Sequence, residues 1–219
     1  MENTGRREKA HWIYVLATGY VVISYGHLFM PSPSNFDIIK NLPWLNTILD
    51  LCIFFLPLIY GIISLILIAV FWKSLDRNRL LNCVILIKYS LIPLFLIGGA
   101  LVFFCLAFSF IPVPFMIFMG PLAAVTFSFI GWCIVAGGAV FPIAYAIRAH
   151  KDGIHGKVLT ITACILQFFF VADVISVMVL TLKEKRWRKL TLTVIILLAI
   201  FAVACILGLA AFILDIAVS

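Results

Sequence analysis

Two ionisable side chains, Lys88 and Asp173, lie inside long apolar stretches of this 219-residue sequence. A charge at the centre of a bilayer costs about 2.5–3.5 kcal/mol on insertion scales, so such residues are rare and mark substrate paths, ion paths or paired counter-charges. Lys88 lies nine residues past Arg79, and Asp173 lies ten residues before Lys183. At the helical rise these separations are roughly 13 and 15 Å, which puts both groups near mid-bilayer even if their helices start from opposite faces. Lys88 and Asp173 are therefore the candidate substrate or ion path, and an ion pair between them is geometrically allowed. The plainer alternative is a pair that only fixes helix packing. Gln167 lies six residues from Asp173 and points elsewhere on a continuous helix, while Asp50 and Asp215 fall near the ends of apolar stretches.

The remaining reactive residues do not assemble into a catalytic set. Cys52, Cys83, Cys105, Cys133, Cys164 and Cys205 fall in or beside different apolar stretches, and no CxxC occurs. They read as small buried apolar residues rather than a redox pair or a thiolate metal site. Of the histidines His11, His27, His150 and His155, only His27 lies within a span, near its end. His150, Asp152 and His155 share one connector, where solvated loop residues are a simpler reading than metal ligands. Gly153-Ile154-His155-Gly156-Lys157 is GxxGK, too short for a phosphate loop. The glutamates are Glu2, Glu8 and Glu184, all outside the apolar stretches. Neither HExxH nor GxSxG is present. No enzyme, cofactor or metal is expected.

What must position Lys88 and Asp173 follows from composition. Hydrophobic residues make up 65% of the chain and charged residues 11%. Soluble domains are about 45–50% apolar and about 25% charged. There is too little polar residue here to cover a soluble surface. The apolar runs are long and unbroken, without the ten-residue alternation of barrel strands, so the backbone bonds must close within helices. The fold expected is all-α, a polytopic transmembrane helix bundle of about six spans. It has a short cytoplasmic tail at 1–11 and a single transmembrane domain at 12–219. The spans are Trp12–Met30, Thr47–Trp72, Leu80–Phe108, Phe115–Ile147 with breaks allowed at Pro121 and Pro142, Val158–Leu182, and Leu190–Ile213. The basic lead of the first span suggests a signal peptide, but Pro31-Ser32-Pro33-Ser34 is not a small-x-small cleavage site, so the span is retained. Asn35–Asn46 is either an irregular loop or a short helix in the membrane surface, with Trp44 at headgroup depth. Pro57, Pro93 and Pro142 fall inside spans and favour kinks. Gly120, Ala124 and Ser128 repeat at a four-residue spacing that allows close helix packing.

The net charge of +7 does not describe a nucleic-acid surface, because the basic residues occupy short connectors between apolar runs. This is a positive-inside pattern, with one conflict. Six crossings with the N-terminus inside leave nine connector Lys and Arg inside and six outside. If Val158–Leu182 does not cross, the division becomes fourteen against one. Early helices usually dominate orientation, which supports six; charge counting supports five. The run Lys183-Glu184-Lys185-Arg186-Trp187-Arg188-Lys189 anchors a helix end and suits anionic lipid.

The stretch Ala146–Lys157, continuing through Gln167-Phe168-Phe169-Phe170 to the basic run at Lys183, resembles a class of small, uncharacterised bacterial multi-span proteins. The resemblance covers the C-terminal third. It implies a bacterial cytoplasmic membrane, a multi-pass cell-membrane location, and no particular activity.

The function expected is a small transporter or permease-like protein, or a transporter-accessory subunit. The alternative is a structural or interaction subunit of a membrane complex. A membrane enzyme acting on lipid-linked substrate ranks third, for want of catalytic residues. The partners expected are the lipid bilayer and other membrane subunits or further copies of the chain, and not nucleic acid.

Overall fold

The computed structural model describes residues 11–29, 43–110, 113–184 and 187–218. Most of the expected N-terminal tail, and the expected surface segment as far as Leu42, lie outside the described residues. All regular structure among the described residues is helical. The helices are α1 (Trp12–Phe29), α2 (Pro43–Phe54), α3 (Leu56–Val70), α4 (Arg77–Phe108), α5 (Pro114–Gly138), α6 (Val140–Lys151), α7 (Lys157–Leu166), α8 (Phe170–Lys183) and α9 (Arg188–Val218). Contacts divide the chain into two compact units, Met1–Val177 and Met178–Ser219.

In the first unit α1, α5 and α6 surround the first half of α4. The buried positions of α1 are Ile13, Ala17, Tyr20 and Ser24, spaced four, three and four residues apart, which is one face of a helix. On α4, Leu80, Leu81, Val84, Ile87 and Leu91 are buried. Past Leu94 the same helix opens to the surroundings: Ile97, Phe103, Phe104 and Phe108 are exposed, and so are Phe115, Phe118 and Leu122 at the start of α5. The α4–α5 contact there is tight. A Cβ added to Gly120 would lie 2.6 Å from the Cys105 carbonyl oxygen.

Several elements gather at one end of this unit. The Trp12 and Phe71 rings lie 5.2 Å apart. Asn82 Nδ2 donates to the Tyr14 hydroxyl at 3.1 Å, and Lys151 Nζ sits 5.2 Å from the centre of the Trp72 ring. Lys73, Arg77, Arg79, Arg148, Lys151 and Lys157 therefore belong to this end, beside the end of α3, the start of α4, the end of α6 and the start of α7. The opposite end, where α4 gives way to α5, has no basic residue from Phe103 to Phe118.

Three helices are long and apolar enough to cross a membrane: Arg77–Phe108, the nearly continuous Phe115–Lys151, and Arg188–Cys205. A fourth crossing is available if α2 and α3, bent by 62° at Phe55, count as one. Pro57 is the cause of the bend, since it cannot donate to the Ile53 carbonyl and its ring crowds that turn. Pro93 and Pro121 stay inside continuous helices. The break allowed at Pro142 falls three residues earlier, at Ala139, whose N–H bonds back only three residues to the Ala136 carbonyl.

The expected continuous span Val158–Leu182 is not continuous. It parts at Gln167–Phe169 into α7, of 10 residues, and α8, of 14. At 1.5 Å per residue these measure roughly 15 and 21 Å, and neither alone crosses a 30 Å core. No Pro or Gly stands at the break. The N–H groups of Phe168 and Phe169 reach back three residues to the carbonyls of Ile165 and Leu166, a tightened last turn that ends α7. In the second unit Thr181 and Thr191, both buried, are joined by a 3.1 Å hydroxyl–hydroxyl hydrogen bond.

Candidate functional site

Lys88 and Asp173 meet in the interior of the first unit. The Nζ–Oδ2 distance is 2.5 Å, and the side chains are 1% and 0% exposed. Lys88 sits on the buried face of α4, one residue from Ile87 and three from Leu91. Asp173 lies in the first turn of α8. Its backbone N–H donates to the Phe169 carbonyl at 2.8 Å, and the positive end of the helix dipole favours a carboxylate at this position. The break before α8 thus has an electrostatic consequence. It puts a helix start, rather than a helix middle, next to Asp173.

The pair is incompletely satisfied. Among the described residues no hydrogen-bond partner reaches Asp173 Oδ1. Gln167, also buried, donates Nε2 to the Ala163 carbonyl at 3.2 Å, and no partner reaches its Oε1. A buried acceptor without a donor costs about 1–3 kcal/mol.

In the same unit, tyrosine hydroxyls donate to backbone carbonyls of neighbouring helices. The Tyr20 hydroxyl donates to the Ile134 carbonyl, in the last turns of α5 before the Ala139 break. Ser24 Oγ donates to the Tyr20 carbonyl at 2.8 Å. The Tyr25 hydroxyl donates to the Ser90 carbonyl at 2.7 Å, three residues before Pro93. Tyr60 on α3 donates to the Leu16 carbonyl at 3.2 Å. The helix breaks are also the places where backbones touch. A Cβ on Gly61 would lie 2.5 Å from the Gly137 Cα, and one on Gly137 would run into the Pro57 carbonyl oxygen. Only glycine fits that crossing.

This site can hold a proton, exchange the Lys88 ammonium for another cation, or lock three helices together. Sequence alone singles out Lys88 and Asp173 and sets Gln167 apart. Tyr20, Ser24, Tyr25 and Tyr60 escape it. The signal available was the spacing of Ile13, Ala17, Tyr20 and Ser24 along one helical face, together with the need of a buried tyrosine hydroxyl for a partner.

The other candidates stay apart from the pair. Asp50 is exposed, and the side chain of Asp215 lies outside the described residues. His150 Nδ1 is 2.9 Å from the His155 carbonyl, within one connector, and the His155 ring stands edge-on to Tyr145. The six cysteines are free thiols. Among the described residues no three His, Cys, Asp or Glu side chains gather in a metal-binding arrangement.

No curated protein and no solved structure matches this chain. A family defined by sequence nevertheless takes in most of it. The chain belongs to the family of unknown function DUF6652, whose match runs over residues 11–186 and so includes α1 to α8 and both charged residues of the site.

Proposed function

We propose that the protein is an integral membrane protein of the small transporter or permease-like type, or an accessory subunit of a transporter, in the bacterial cytoplasmic membrane. The observation that carries this reading is the buried Lys88–Asp173 pair, with one carboxylate oxygen that meets no donor among the described residues, beside the break between α7 and α8. Discontinuous helices with polar groups at their ends form the binding sites of secondary transporters, and a pair serving packing alone has every reason to satisfy both oxygens. Long lipid-compatible helices support the membrane location. Of the six crossings expected, four have a helix of spanning length or a bent pair in their place; Trp12–Met30 is met by the 18-residue α1 and Val158–Leu182 by the separate α7 and α8.

The second reading is a structural or interaction subunit. It is favoured by the dryness of the pair, which solvent does not reach in this conformation. The two readings separate in liposomes holding purified protein and a pH-sensitive dye, under an imposed potassium or sodium gradient. The transport reading expects ion-coupled proton movement above that of empty liposomes, lost in the charge-free double variant Lys88→Met/Asp173→Leu while its unfolding temperature is kept. Wild-type protein that moves no proton, sodium or potassium above empty liposomes transfers the assignment to the structural subunit.

A further inference from the structure

The direction of α8 follows from its neighbours. The helix α4 runs inward from the basic end, so Lys88 lies 11 residues and Phe95 18 residues from Arg77, at depths of roughly 16 and 27 Å. Phe170, the first residue of α8, meets Phe95, with ring centres 6.0 Å apart. Three residues later Asp173 meets Lys88. Advancing along α8 thus means retreating along α4. The helix α5 meets the same start of α8: a Cβ on Gly131 would lie 3.1 Å from the Phe170 ring. Since α7 starts at Lys157, at the basic end, the chain goes in along α7, turns at Gln167–Phe169 and comes back along α8.

We propose that residues 157–183 form a re-entrant helical hairpin that enters the membrane from the basic face, delivers Asp173 to Lys88 and leaves by the same face. Non-helical backbone at membrane depth is tolerated where its polar groups are satisfied; here the Phe168 and Phe169 N–H groups bond back to the Ile165 and Leu166 carbonyls, Gln167 is buried, and the exposed rings of Phe168 and Phe169 turn apolar surface outward. The charge pattern agrees. With the hairpin on one side, the N-terminal basic residues and those of the connectors 73–79, 148–157 and 183–189 all face the same side, fourteen Lys and Arg against Lys40 alone opposite. The crossings are then five, and the residues after α9 emerge opposite the N-terminus. This inference rests on the membrane reading but not on transport.

Sidedness tests it. Carbonate extraction first places the full chain in the membrane pellet; release into the supernatant would remove the membrane reading itself. In vesicles of known orientation, Ile154→Cys and Glu184→Cys, each on a cysteine-free background, are expected to label with an impermeant maleimide from the same side, and Phe169→Cys from neither. Glu184→Cys labelling from the side opposite Ile154→Cys overturns the hairpin. Should the cysteine-free chain fail to insert, paired fluorescent and phosphatase reporters fused after Ser219 of the native chain give the answer. A phosphatase-active, non-fluorescent fusion supports five crossings and a hairpin, and a fluorescent, phosphatase-inactive one overturns them.

Discussion

The helix α4 is one continuous element in two environments. From Leu80 to Leu94 it is enclosed by α1, α5 and α6, carries Lys88, and receives the Tyr25 hydroxyl at Ser90. From Phe95 to Phe108 it presents Ile97, Phe103 and Phe104 outward. Both halves are apolar in sequence, yet different forces hold them. In lipid an apolar contact is worth only its van der Waals packing, because the surroundings are equally apolar. A side chain that turns outward loses little. A buried ion pair, a hydroxyl on a carbonyl and a glycine–glycine crossing have no substitute in lipid. The enclosed half should therefore be sensitive to single changes and the outward half tolerant.

The largest effect is expected at the ion pair. Lys88→Met or Asp173→Leu alone leaves an uncompensated charge and is expected to cost about 3–5 kcal/mol, read as lost folded yield and a lower unfolding temperature in detergent. The double variant is expected to recover most of the loss. Losses that simply add would mean the two groups do not stabilise each other, and the contrast between the halves would lose its main support.

Glycines give the next contrast, and its sign differs between the halves. Gly137→Ala drives a methyl group into the Pro57 carbonyl and the Tyr20 hydroxyl, a clash expected to cost about 1–3 kcal/mol. Gly98→Ala and Gly99→Ala meet nothing within 4 Å and are expected to gain about 0.5–1 kcal/mol each from helix propensity. Equal unfolding shifts at Gly137 and Gly99 would erase the distinction.

The smallest effect compares single side chains on the two halves. Tyr25→Phe removes the bond to Ser90 and is expected to cost about 1 kcal/mol. Phe104→Leu, on the outward half, is expected to stay within about 0.5 kcal/mol of wild type. Chemical unfolding of both variants, side by side, decides whether the tyrosine bonds add stability.

Much of this could be read along the chain. Composition and unbroken apolar runs dictate helices, because a backbone in lipid must bond to itself. The rise per residue places Lys88 and Asp173 at comparable depth, and their opposite charge makes an ion pair legible in the sequence; in the structure the two meet at 2.5 Å. Pro57 announces the bend between α2 and α3. By contrast, Gln167-Phe168-Phe169-Phe170 contains no residue that breaks a helix, and by length and hydropathy Val158–Leu182 is an ordinary span. Its break is decided by Phe170 settling between Phe95 and the bare backbone of Gly131, and by Asp173 turning toward Lys88. Hydropathy measures each segment against lipid, one segment at a time. The direction a segment takes depends on which neighbour offers its aromatic ring a gap and its carboxylate a cation, and those neighbours lie about 40 and 85 residues away in sequence, brought close only by the packing of α4, α5 and α8.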